Sequence, residues 1–177
     1  MKKFLLHVCC APCASTIIQQ LKARGFKVTA FFYNPNIYPA QEYKIRRDEI
    51  KKYCLSNKID FIEMEYNHAL WREKIKGFEQ EPERGERCQI CYSDRLNKTA
   101  EHSIQKGYDI FDSTLSISPH KDFEKIKSIG ENLAEKYDLE YYGQNWKKDQ
   151  GFKRACELSK EQNFYRQTYC GCEFSML

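Results

Sequence analysis

The stretch Lys3-Phe4-Leu5-Leu6-His7-Val8-Cys9-Cys10-Ala11-Pro12-Cys13 decides the fold. Its apolar run from Lys3 to Val8 suits a buried strand. Ala14, Ile17, Ile18 and Leu21 then follow at helical spacing, with Gly25 as a helix stop. A strand that runs straight into a helix, with three thiols at the joint, opens a βα unit. The alternation continues outward. Val28 to Tyr33 reads as a strand ended by the turn-forming Asn34-Pro35-Asn36. Tyr43, Ile50, Tyr53 and Cys54 mark a charged amphipathic helix, Asp60 to Tyr66 a third strand and Leu70 to Phe78 a short helix. An aperiodic loop, Glu79 to Arg87, leads into Cys88-Gln89-Ile90-Cys91 near the start of a helix carrying Leu96, Ala100 and Ile104. Tyr108 to Ser118 reads as a fourth strand. Phe123, Ile126, Ile129, Leu133, Ala134 and Tyr137 give the clearest amphipathic helix. Leu139 to Tyr142 is a short fifth strand, Gln150 to Ser159 a last helix, and the tail from Asn163 to Leu177 has no period.

Alternating units of this size predict an α/β fold in three layers, a mostly parallel sheet with helices on both faces. At 177 residues, without repeats or linkers, 1–177 is expected to be one domain, its irregular tail from about 163 returning to the site. In open parallel sheets, ligands bind beyond the carboxyl ends of the strands near a switch in strand order. The Cys9–Cys13 segment, Asn34-Pro35-Asn36 and Ser116-Ile117-Ser118-Pro119 should therefore share one rim. The apolar opening is too short for a signal peptide or a membrane span, so a reducing cytoplasm is the expected compartment and no membrane the expected partner. The formal charge of +4 permits a nucleic-acid partner without requiring one.

Seven of the 9 cysteines fall in three groups: Cys9, Cys10 and Cys13; Cys88 and Cys91; Cys170 and Cys172. In a reducing compartment such grouping points to metal binding or redox chemistry before disulfides. A helix start stabilises thiolates, because its free N–H groups and dipole favour negative charge. Four thiolates satisfy one iron–sulfur cluster, so seven leave ligands for a second metal or a redox pair. A zinc site from two pairs is the competing reading, and a thiol–disulfide pair of Cys10 and Cys13 another. Cys54 and Cys156 lie alone in helical patterns and read as core. His7 reads as strand packing, His120 as a weak rim candidate, and Lys44-Arg46-Arg47 and Lys147-Lys148 as solvated faces or phosphate contacts.

Leu6 to Cys13, Tyr33-Asn34-Pro35-Asn36-Ile37 with Glu42, Tyr43 and Arg46, Arg87-Cys88-Gln89-Ile90-Cys91-Tyr92 with Arg95 and Leu96, Thr114-Leu115, Ser118-Pro119 and Tyr165-Arg166-Gln167-Thr168-Tyr169-Cys170-Gly171-Cys172 occur in that order. In these motifs the chain resembles the QueH family of epoxyqueuosine reductases. The resemblance implies a Rossmann-like fold similar to the adenine-nucleotide alpha-hydrolase (HUP) group, with Cys9-Cys10-Ala11-Pro12-Cys13 where relatives carry an ATP loop, so ATP is not an expected cofactor. It implies two-electron deoxygenation of epoxyqueuosine at the wobble position of tRNA with a GUN anticodon, without cobalamin. The implied cofactors are a 4Fe-4S cluster and a nearby mononuclear iron, fed by an external electron donor. On this reading all seven grouped cysteines are metal ligands. Cys88 and Cys91, with one thiol from each other group, would hold the cluster. The rest of Cys9, Cys10, Cys13, Cys170 and Cys172 would hold the second iron, with Cys9, Cys10 and Cys13 at the chemistry. Tyr33, Asn34, Asn36, Tyr43, Arg46, Ser118, Tyr165, Arg166 and Gln167 are the implied substrate-binding residues. The alternatives are a zinc-stabilised tRNA-binding module and the Cys10/Cys13 oxidoreductase.

Overall fold

A computed structural model describes residues 1–176. Five strands form one all-parallel sheet in the order β3-β2-β1-β4-β5, with β1 Lys3–His7, β2 Lys27–Phe32, β3 Asp60–Glu63, β4 Ile110–Ser113 and β5 Glu140–Tyr141. Successive side chains point to opposite faces of a strand, and β1 is apolar on both. Phe4, Leu6 and Val8 join Ala30 and Phe32 on one face, while Leu5 joins Phe31 and Tyr33 on the other. That is why the run is continuous rather than alternating.

The first face is covered by α1 Ala11–Ala23, α2 Ala40–Ser56 and α6 Gly151–Glu161, through Ile17, Ile18, Leu21, Ile50, Tyr53 and Ala155. The second is covered by α4 Glu86–Lys106 and α5 Phe123–Tyr137, whose Leu96, Ala100 and Ile126 pack with Phe111. Each large apolar side chain so buried contributes about 1.5–3 kcal/mol. A short α3, His68–Lys74, is capped by Asn67, whose side chain accepts from the Leu70 backbone N–H, and it buries Trp71. Among the described residues no helix is long and apolar enough to cross a membrane.

Two strands end earlier than the sequence pattern predicts: the third, expected to run to Tyr66, ends at Glu63, where its pairing with β2 stops at Phe32↔Glu63. The expected fourth strand, Tyr108 to Ser118, ends at Ser113, where its pairing with β1 stops at His7↔Ser113. Ser113 then accepts from the Leu115 N–H, and Thr114–Ile117 turns into a 3-10 helix. The strand order reverses between β1 and β4, whose carboxyl ends therefore open the crevice at which ligands bind in such sheets.

Candidate metal centre and substrate cavity

At the carboxyl end of β1 the chain leaves the sheet through Val8 and enters α1 with Cys10 as its N-cap and Pro12 in the first turn. Pro fits there because it lacks only an N–H that a first turn leaves unpaired anyway. This tight passage brings the sulfur atoms of Cys9, Cys10 and Cys13 within 4.8 Å of one another. Thiol hydrogen bonding from Cys10 and Cys13 pulls the Cys9 thiol well below its ordinary range despite burial. The same sharing, with burial, pushes Cys13 up.

Cys91, on the second turn of α4, packs with Cys172 and Cys170 of the tail against Trp71 and Ile75. Burial pushes Cys91 up to about 11 and Cys172 up to about 12. Burial opposes charge on Cys170 as well, but Lys121 and Arg95 beside it prevail and its thiol lies below its ordinary value. Lys121 Nζ donates to Cys170 Sγ at 2.7 Å. Cys88 is half-buried, and its sulfur accepts from the Arg84 N–H.

The tail reaches the site because α2 holds it. Arg46 is 1% exposed; its Nε pairs with Glu42 at 2.6 Å, while Nη1 and Nη2 donate to the carbonyls of Cys170 and Tyr169. Tyr165 Oη donates to Glu42 at 2.7 Å, the Tyr169 hydroxyl to the Tyr38 carbonyl, and the Tyr38 N–H to the Gly171 carbonyl. Gly171 has φ +109°, and a Cβ there would lie 3.0 Å from both Arg46 Nη1 and Ile37 Cγ1. Only glycine fits between two thiols at that approach.

Behind Cys9, His7 is fully buried, with Nδ1 2.8 Å from Ser113 Oγ and Nε2 facing the Tyr33 carbonyl and Arg95 Nε. Burial, and then the Arg95 charge, push its imidazole down to about 3, so the ring is neutral. Arg95, one turn after Cys91 on α4, donates to Asn34 Oδ1 at 2.7 Å. It is 2% exposed and makes no ion pair with a carboxylate among the described residues. A buried guanidinium needs a counter-charge, and the groups beside it that can ionise to supply one are Cys91, Cys9 and Cys170. Buried cations facing clustered thiols, with soft sulfur as the donor, fit an anionic metal–thiolate centre.

A cavity of about 360 Å³ opens over these thiols, lined by Cys9, Cys13 and Cys170 and by Arg46, Arg95 and Lys121. Of the residues expected at substrate, Arg46, Ser118, Arg166 and Gln167 line it. Gln167 Nε2 donates to Cys10 Sγ at 3.1 Å, and its Oε1 has no partner. Tyr33, Asn34, Asn36, Tyr43 and Tyr165 do not line it. Tyr33 donates to Asp94, Asn34 bridges the Val8 carbonyl and Arg95, Tyr43 stacks on Tyr66 at 4.1 Å, and Asn36 is buried with both amide atoms unpaired. His120 lines the cavity too. Cys54 sits in the core, whereas Cys156, expected there, lines the cavity wall. Sequence reasoning passed over Lys121, Phe152 and Ser159. Lys121 carries no spacing signal, but Phe152, Ala155, Cys156 and Ser159 recur at helical intervals and mark one face of α6.

The family model described as "Epoxyqueuosine reductase QueH" matches residues 4–177. The chain belongs to the QueH family. A Haemophilus influenzae protein named "Epoxyqueuosine reductase QueH" is 43% identical over 175 residues, covering 98% of this chain and 71% of that one. Family members of the same name from Acinetobacter baylyi (41%, 98% of this chain, 80% of that one) and Thermotoga maritima (36%, 100% and 92%) are similar throughout. Among solved structures, a predicted subunit of a tRNA methyltransferase from Methanocaldococcus jannaschii matches with TM-score 0.63 at 13% identity, over 91% of this chain and 75% of that one. At that identity the likeness concerns the fold alone.

Proposed function

We propose that the protein is a cobalamin-independent epoxyqueuosine reductase acting on tRNA with a GUN anticodon. Its reaction removes the epoxide oxygen: two electrons and two protons enter, both C–O bonds break, a C=C bond forms and water leaves. The observation that carries this reading is the gathering of thiols from both ends of the chain, Cys9, Cys13 and Cys170, around a cavity lined by buried cations, with Cys91 of α4 packed beside Cys170 and Cys172. Family membership supports the same chemistry.

The packing favours a partition different from the one the motifs implied. Cys9, Cys10 and Cys13, close enough for one ion, would hold the mononuclear iron; Cys91, which packs with Cys170 and Cys172 and feels the charge of Cys88, would hold a 4Fe-4S cluster together with those three. Iron bound there supplies electrons and Lewis acidity, which zinc, lacking redox chemistry, supplies only in part. The remaining residues do the positioning. Arg95 and Lys121, in the cavity wall, hold positive charge against the sulfur atoms. Thr114 Oγ1, 3.8 Å from Cys9 Sγ, Ser118 and Arg166 present polar groups to whatever enters, and Gln167 offers an unpaired carbonyl oxygen. Thr114 is buried, so an interaction with its hydroxyl is stronger than it would be in solvent. An external donor delivers electrons.

The test is anaerobic reconstitution with iron and sulfide, followed by incubation with epoxyqueuosine-containing tRNA and a chemical reductant. Brown protein that yields queuosine is the expected result. A colourless zinc protein that binds the tRNA without turning it over, or a metal-free protein that is fully active, would overturn the assignment.

A further inference from the structure

One wall of the cavity is a single face of α6. Phe152, Ala155, Cys156 and Ser159 all line the cavity, and their spacing places them in one line along the helix. The three deeper members are small, which leaves a slot between α6 and the Cys9–Cys13 turn. At the inner end, Ser159 is 1% exposed and its hydroxyl finds no hydrogen-bond partner. A buried hydroxyl without a partner costs free energy unless a ligand or water completes it. At the outer end, Phe152 is 42% exposed and belongs to no aromatic pair among the described residues. It stands in the sequence Lys147-Lys148-Asp149-Gln150-Gly151-Phe152-Lys153-Arg154, where four cations face one anion. Lys148, Lys153 and Arg154 are exposed, as is Arg166, whose Nη2 donates to Cys156 Sγ on the same face at 3.7 Å.

An unpaired aromatic ring on a basic rim, above a slot with an unsatisfied hydroxyl, has the form of a single-strand RNA platform. Bases of any identity stack on such a ring while neighbouring cations take the backbone phosphates. We propose that this face of α6 is the RNA wall of the site. Phe152 stacks on an unpaired loop base adjacent to the nucleotide that enters the slot, and Ser159 Oγ hydrogen-bonds that inserted nucleotide. Lys153 and Arg154 contact flanking phosphates. The inference rests on the tRNA-reductase reading and adds where the RNA lies.

Binding of a fluorescent anticodon stem–loop carrying epoxyqueuosine tests it, with the iron-loaded protein, at several salt concentrations. Phe152→Ala is expected to weaken binding roughly five- to a hundredfold, the range for one lost base stack, while Phe152→Trp retains it. Lys153→Gln with Arg154→Gln reduces the salt dependence by about 1.4 in log–log slope if each meets one phosphate. Ser159→Ala leaves the melting temperature and iron content unchanged, or the former raised, because an unpaired hydroxyl is removed, yet raises KM for the RNA about two- to tenfold. Leu55→Ala, an exposed apolar residue on α2 outside the cavity, serves as the control. If wild type binds and Phe152→Ala binds equally well, or if Ser159→Ala leaves KM unmoved, the α6 wall is wrong while the reductase reading stands. If wild type itself binds no stem–loop, both fall together.

Discussion

Replacing Arg46 by alanine should release the tail from the body of the protein. The guanidinium is buried, pairs with a Glu42 carboxylate that is itself buried, and satisfies two backbone carbonyls of the Tyr169–Cys170 segment. Breaking a buried pair by removing one partner destabilises by about 3–5 kcal/mol. Glu42 keeps one donor, the Tyr165 hydroxyl, and the two tail carbonyls are half-buried, so water replaces part of what is lost. The expected effect is therefore about 3–5 kcal/mol in total rather than the sum of separate penalties. For a chain of this size that lowers the melting temperature by roughly 6–20 °C. Urea unfolding of the metal-free protein under reducing conditions measures the loss, and hydrogen exchange over residues 165–172 locates it. Arg46→Lys keeps the charge but not the planar fork, and should recover only part of the stability. The reasoning is refuted if Arg46→Ala unfolds within about 1 kcal/mol of wild type and tail amides exchange no faster.

Three further outcomes are expected. Arg95→Met removes the buried cation that faces Cys91, Cys9 and Cys170. Bound iron should become harder to reduce, since positive charge nearby favours the more negative state, and an EPR redox titration that finds equal potentials contradicts this. Burial raises the Asp112 carboxyl from 3.8 to about 7, because its hydrogen bonds from Ser113 and Trp146 only partly offset desolvation. The folded chain thus binds this proton more tightly than the unfolded chain, and the stability so gained is present below pH 4 and lost as pH rises through 7. The difference is at most about 4 kcal/mol. Asp112→Asn should flatten the fall in melting temperature between pH 5 and pH 8, and an unchanged slope would exclude Asp112 as its source. Replacing Cys170 and Cys172 together by serine should leave Cys9, Cys10 and Cys13 able to hold one ion, so iron drops to about one per chain while sulfide disappears. Retention of sulfide would show that the tail thiols are not cluster ligands.

The sheet was legible because β1, β2 and β4 are apolar in runs too short for helices and each is followed at once by turn or thiol residues. β4 was overextended because Thr114-Leu115-Ser116-Ile117 alternates like a strand; the side chain of Ser113, not the apolar pattern, ends it. The grouping of thiols was visible as spacing, but their division was not. Cys170 and Cys172 pack beside Cys91 through contacts with Arg46, Ile37 and Trp71 that no local pattern encodes. Arg46 illustrates the limit best. Its sequence neighbours, Lys44 and Arg47, read as a solvated basic face, yet Glu42 four residues before and two tail carbonyls turn it inward. Lys121 was invisible for the same reason: a lysine after Pro119-His120 has no signature until Cys170 is placed beside it.

The hydrogen bond from Gln167 to Cys10 spans 157 positions of sequence. Contacts of such separation close late, after the strands they rest on have formed. During synthesis the first thiol group is therefore made well before its distal partners at 167–172. Loading of a cluster that uses the tail thiols must wait until residue 172 has left the ribosome. A ribosome stalled anywhere in α6 yields a nascent chain that carries the first thiol group and lacks the tail thiols of the cluster.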